Sequence, residues 1–172
     1  MKLIKYILFL LLIPFVTQGQ TVHIDNDKIV YKGTIKLEQV NKEDLYIRAK
    51  NALIKNVKGN KKLMGEANIE KEKIAAEGSI KLSSPYHIIK TVEYILELSV
   101  EDGKYKYLID SVYIKQAERG GKTTKTSSED LLKDMDVSGP VSANAEKQLN
   151  EIDMHFQKLL YLINADMKKT AV

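Results

Sequence analysis

The strongest constraint on the fold lies in residues 88–113, where apolar side chains alternate with polar ones on both sides of Asp102-Gly103. Ile88, Val92, Tyr94, Leu96, Leu98 and Val100 precede this pair; Tyr105, Tyr107, Ile109 and Tyr113 follow it. Such alternation is the period of a strand with one face in a core. Asp-Gly supplies the positive backbone angles of a two-residue turn whose twist matches its strands, so the segment is a hairpin. A tip at Asp102 and Gly103 predicts that Val100 faces Tyr105, Leu98 faces Tyr107, Leu96 faces Ile109 and Val92 faces Tyr113, with all these side chains on the core face.

The elements around the hairpin follow from the same periods. Ile29, Tyr31, Ile35 and Leu37 alternate with polar residues, which predicts a strand, and Gly33 marks a bulge or twist in it. Asn41 followed by Asp44 predicts a helix start, because the Asn side chain accepts from an orphan amide while the acid sits in the positive first turn. That helix runs from Lys42 to about Val57, with Leu45, Ala49, Ala52, Leu53 and Val57 as its buried stripe and Gly59 as a left-handed stop. Two weaker strands carry Leu63, Ala67 and Ile69, then Ile74, Ala76, Ile80 and Leu82, joined by the charged run Glu70–Lys73. After a polar stretch from Ala117 to Ser127, the segment with Leu131, Leu132 and Met135 reads as a short helix. A long helix from Asn144 to Lys168 presents Ala145, Leu149, Ile152, Phe156, Leu159, Ile163 and Met167 at helical spacing.

The first residues read as a secretory leader. Lys2 and Lys5 precede an uncharged apolar run to Val16, and Thr17 and Gly19 suit a cleavage before Gln20. The run is shorter than the roughly 20 residues a membrane-spanning helix needs, and it contains Pro14. The expected domains are therefore a leader at 1–19 and a single domain at 20–172. The formal net charge is +4, and losing the two leader lysines leaves +2. The chain has no cysteine, which removes disulfides, thiolate metal ligands, a cysteine nucleophile and a lipid-acceptor thiol.

Four blocks in this order carry a resemblance: Asp25-Asn26-Asp27-Lys28-Ile29-Val30-Tyr31-Lys32-Gly33-Thr34-Ile35, Asp44-Leu45-Tyr46-Ile47-Arg48-Ala49, the hairpin around Asp102-Gly103, and Glu151-Ile152-Asp153. Over residues 21–168 the sequence resembles a secreted domain-of-unknown-function family from Bacteroidetes with a TATA-binding-protein-like (TBP-like) fold. The resemblance implies an α+β fold, with a single curved antiparallel sheet of about five strands and two helices on one face, in the order β-α-β-β-β-β-α. It also implies an exported location, and it implies no activity.

Candidate chemistries fail on their spacing. Gly120-Gly121-Lys122-Thr123 imitates the end of a phosphate-binding loop, but Gln116 stands where its first glycine belongs. Asp25-Asn26-Asp27 opens like a calcium loop, yet Ile29, Val30 and Lys36 occupy later ligand and turn positions. His23, His87 and His155 are far apart, and none has a metal-ligand partner at helical spacing. No activated-serine motif occurs. Proteins that bend DNA from a curved sheet use aromatic wedges and many basic residues, whereas Phe156 is the sole phenylalanine past the leader. The sequence thus points to no cofactor, no metal, no nucleic-acid partner and no stable membrane span after leader removal.

The face opposite the helices is expected to carry Lys32, Lys36, Glu93, Glu97, Lys106 and Asp110, with an apolar cluster of Ile95, Leu108 and Val112 and, toward the far end, Ile89 and Ile114. Contiguous apolar patches mark contact surfaces; the competing reading is that the segment around Leu131, Leu132 and Met135 folds across the cluster. The expected function is an exported, non-catalytic module, periplasmic or extracellular, that contacts a protein, an envelope component or an apolar ligand through this open face. The alternatives are a hydrolase-like envelope enzyme whose site assembles only in three dimensions, and a structural homodimer.

Overall fold

The computed structural model describes residues 24–25, 28–59, 63–64, 72–83, 89–117, 122–135 and 140–169. The expected leader, Ala67, Ile69, His23, His87 and Gly120-Gly121 lie outside the described residues. A two-residue pair, β1 (Ile24–Asp25) and β2 (Lys28–Ile29), places Asp25 opposite Lys28; Asn26 and Asp27, the rest of the calcium-like opening, lie outside the described residues. The main sheet contains β3 (Tyr31–Lys36), β4 (Leu63–Met64), β5 (Lys73–Leu82), β6 (Ile89–Glu101), β7 (Lys104–Ala117) and β8 (Thr123–Ser127). Its order is β3-β7-β6-β5-β4, and β8 pairs with β7 beyond the end of β3. All pairings are antiparallel.

Three helices accompany the sheet among the described residues: the two that the resemblance implies and the short one read from the segment with Leu131, Leu132 and Met135. In α1 (Lys42–Asn56), Asn41 Oδ1 accepts from the Asp44 amide at 2.8 Å, the cap that the sequence predicts. Its stripe Leu45, Ala49, Ala52 and Leu53 is buried with Val57, and Gly59 takes φ of 107°. The short segment is α2 (Ser128–Met135), capped by Ser127, whose Oγ accepts from the Asp130 amide. The polar residues before it are a strand, β8, rather than a loop: Thr124 and Thr126 pair with Gln116 and Ile114, and threonine suits a pleated edge. α3 (Pro140–Met167) begins four residues earlier than expected, because proline is tolerated in a first turn whose amides have no partner.

The sequence-predicted stripes converge on one core. Val92, Tyr94, Leu96, Leu98 and Val100 of β6 are buried with Tyr105 and Ile109 of β7 and the whole α3 stripe from Ala145 to Met167. Phe156 seats α3 on the sheet, its ring edge-on to Tyr31 at 5.1 Å and to Tyr94 at 4.9 Å. Two sheet tyrosines then reach back to the helix: Tyr31 Oη donates to Asp153 Oδ1 at 2.7 Å, and Tyr105 Oη donates to Asn164 Oδ1 at 3.2 Å. These bonds satisfy hydroxyls that burial would otherwise leave without water. At the α3 end, Lys169, Lys55 and Asn56 hold the Asp166 carboxyl well below the usual range and tie α1 to α3.

The hairpin departs from expectation in two places. At its tip Gly103 alone is left-handed, with φ of 71°, whereas Asp102 keeps a negative φ. The turn is therefore not the doubly positive type. It is held from outside instead: Gly103 N donates to Val40 O, Leu37 N donates to Gly103 O, and Asp102 Oδ1 accepts from Lys42 N. Farther along, the first three predicted pairs are present, but Val92 faces Ile114 instead of Tyr113. Between Ile95↔Asp110 and Glu93↔Tyr113, two steps on β6 oppose three on β7. Ser111, with φ of 51°, lies in this bulge.

Candidate functional site: the open sheet face

A bulge of one residue changes which side chains a strand shows to each side. Before Ser111, the core-facing residues of β7 are Tyr105, Tyr107 and Ile109; after it they are Val112 and Ile114. This corrects two of the five expected surface residues. Val112 and Ile114 are 3% and 5% exposed and belong to the core. Ile95 and Leu108 remain on the open face, diagonal to each other across the pairs Ile95↔Asp110 and Glu97↔Leu108, and both are half-buried by their neighbours. Ile89, at the start of β6, is 58% exposed. The cluster is therefore smaller than expected, and its members are brought together only at Ile95 and Leu108.

The bulge adds residues that the alternation alone did not place there. Tyr113 and Lys115 turn outward, and Lys125 of β8 lies with its Nζ 3.7 Å from the Tyr113 ring centroid, a cation over an aromatic face. Lys115 Nζ meets Glu93 Oε1 at 2.6 Å. Beside Ser111 these side chains, with Glu77 and Ile95, line a depression of about 510 Å³. The signal was present in the sequence: the apolar spacing steps by three between Ile109 and Val112 inside a run that otherwise steps by two.

Charges ring the apolar centre mostly in pairs. Lys73 meets Glu97 at 2.9 Å, and Glu101 accepts from Lys104 at 2.7 Å and Lys106 at 2.6 Å. Hydrogen bonds from these two lysines hold the Glu101 carboxyl down to about 2. Exposed pairs of this kind add little to stability; their effect is a rim whose charge is largely cancelled. The segment containing Leu131 does not cover this face. α2 packs against α3, Leu131 is buried in the core, and Ser128 Oγ lies 3.5 Å from the Ile29 amide.

Elsewhere the titratable groups stay dispersed. Asp153 is buried and engaged by Tyr31, and burial and that bond push the Tyr31 hydroxyl well above its usual range. His155 lies exposed on α3. Among the described residues no three His, Cys, Asp or Glu side chains form a group that could hold a metal ion, and no helix is long and apolar enough to cross a membrane.

The fold is similar to that of a TBP-like protein from Parabacteroides distasonis, with a TM-score of 0.71 at 12% identity over 87% of this chain and 99% of that one. It is also similar to a DUF4468 family protein from Bacteroides ovatus, with a TM-score of 0.64 at 13% identity over 88% of this chain and 92% of that one. At such identities the likeness concerns the fold. No curated protein matches the sequence. Residues 31–115, from the first sheet strand through the bulged hairpin, match the model of a domain of unknown function (DUF4468) with TBP-like fold. The family resemblance read from the four sequence blocks is thereby borne out, and the chain belongs to the DUF4468 family.

Proposed function

We propose that the protein is an exported, non-catalytic binding module whose open sheet face docks a protein partner. One observation carries this reading: α1, α2 and α3 pack on one side of the sheet, while the other side presents Ile95 and Leu108 at its centre inside a rim of paired charges. A small apolar centre with a polar, solvated rim is the anatomy of a protein contact, in which the centre excludes water and the rim sets register. Tyr113, held beneath Lys125, adds a rigid aromatic at the edge of that centre. The non-catalytic part of the proposal is supported by Asp153, the buried acid among the described residues, whose carboxylate is engaged by Tyr31 inside the core.

The test places a photoreactive residue at position 108 of the full chain expressed in its native host, and another at Glu146 on α3 as control. The reading predicts a discrete adduct with another protein from position 108, none from position 146, and loss of the adduct when Ile95→Asp is added. An adduct of twice the protein's own mass makes the partner a second copy and favours the homodimer. Equal labelling from both positions, or none from 108, overturns the proposal.

A further inference from the structure

We infer that a second site, on the helix side of the sheet, binds a small amphipathic anion with an apolar body and one carboxylate or phosphate head. A cleft of about 430 Å³ opens between the end of α1, the outer edge of β5 and α3. That volume falls within the roughly 300–1,000 Å³ of small-molecule sites. Its apolar lining comes from Ile80, Tyr94, Phe156, Leu159 and Leu162. Leu162 is 38% exposed although its helix neighbour Leu159 is buried, so the apolar stripe of α3 extends past the core into the cleft.

The charge of the cleft has one sign. Lys58, Lys81 and Lys158 line it together with His155, and among the described residues no Asp or Glu does so. Two acids of α3 have partners of their own: Asp166 is engaged by Lys55, Lys169 and Asn56, while Glu151 accepts from the backbone and side chain of Ser83 in the adjoining groove. Three lysines lining one cleft without a described carboxylate give it a positive potential, which an anion relieves. That groove, of about 720 Å³, shares His155 and Lys158 but mixes Glu146 and Glu151 among its lysines, so it lacks this selectivity.

A third observation concerns Tyr94. It is 3% exposed and lines the cleft, and its hydroxyl makes no hydrogen bond to α3, yet it is not enclosed: among the described residues the buried side-chain atoms without a partner are Tyr46 Oη and Arg48 Nε. Tyr31 and Tyr105, its companions on the same sheet face, both donate to α3. The Tyr94 hydroxyl therefore reaches the solvent of the cleft, and an anionic head there is an acceptor to which it can donate in place of water. Apolar lining, cationic walls and a solvent-facing donor together specify a ligand with a fatty or aromatic body and a single acidic head.

The experiment titrates residues 20–172 with dodecanoate, dodecyl phosphate, dodecyl maltoside and inorganic phosphate, each below its micelle concentration, by calorimetry. Saturable binding of one dodecanoate or dodecyl phosphate per chain is expected, at least tenfold tighter than the neutral detergent or free phosphate. The two anionic amphiphiles distinguish a carboxylate from a phosphate head. Lys58→Gln combined with Lys158→Gln should weaken binding by about tenfold or more, and Leu162→Glu should abolish it. Lys36→Gln with Lys106→Gln, on the open face, should leave affinity unchanged. Circular dichroism of each variant checks that it is folded. Equal affinity for the neutral detergent, undiminished binding by the lysine variant, or no binding by either anionic amphiphile overturns the inference, without bearing on the open face.

Discussion

Asp102, at the tip of the β6–β7 hairpin, accepts a hydrogen bond at 2.8 Å from the backbone amide of Lys42, the first residue of α1. One carboxylate thus closes a strand turn and caps a helix 60 residues away in sequence, adding a negative charge at the positive helix end. Removing it with Asp102→Ala should cost about 1–2 kcal/mol, the loss of a helix-capping interaction. Asp102→Asn retains an acceptor and should cost less than half as much. Urea unfolding of the two variants measures the difference.

The bulge predicts an asymmetry among changes at Ser111. Serine already bears the strain of the left-handed conformation there, and a β-branched valine tolerates it worse, so Ser111→Val should lower stability in urea unfolding, whereas Ser111→Gly should be neutral or stabilising. Deleting Ser111 removes the extra residue, so that regular alternation itself keeps Val112 and Ile114 in the core and Tyr113 and Lys115 outward; that chain should keep its cooperative unfolding transition in urea while losing the bulge.

The hairpin's faces were legible only up to this point. Pairing from Val100↔Tyr105 to Leu96↔Ile109 follows from alternation, as do the α1 and α3 stripes, because a period of two or 3.6 survives in any core. Val112 and Ile114 were assigned to the wrong face because a regular period was carried through the step of three after Ile109. β8 was missed because Thr123–Ser127 contains no apolar residue; its strand character comes from pairing with β7. The tip was misread for a related reason: Asp-Gly specifies a turn locally, but contacts with Leu37, Val40 and Lys42 select its geometry. The cleft beside α3 joins residues from three elements, a convergence that no local spacing announces.

Two glycines should resist substitution because cross-strand tyrosines cover them. Gly33 pairs with Tyr107 and Gly78 with Tyr94, and a Cβ at either glycine would collide with the opposing ring. Gly33→Ala and Gly78→Ala should each cost about 1–3 kcal/mol through overpacking. Tyr107→Leu should recover part of the Gly33→Ala loss, a coupling that a double-mutant cycle in urea detects.

Stability should fall in alkali. Burial pushes the Tyr94 hydroxyl up to about 12 and the Tyr31 and Tyr105 hydroxyls higher still. Each folded-state value lies above the unfolded one, so this stabilisation is complete below about pH 10 and is lost as pH rises through the folded value. For Tyr94 alone the loss amounts to about 2–3 kcal/mol between pH 10 and 12. Unfolding free energies measured across that window should fall less steeply in Tyr94→Phe.

The side of the sheet on which each hairpin residue stands underlies both the proposed docking surface and the core. Its most direct measure is a comparison of two substitutions four positions apart, Leu108→Asp and Val112→Asp, by equilibrium urea unfolding of residues 20–172. The account predicts that Leu108→Asp shifts stability by no more than about 1 kcal/mol, whereas Val112→Asp, which buries an unpaired charge, costs about 3 kcal/mol or more. Equal losses at the two positions, or the larger loss at 108, would contradict it.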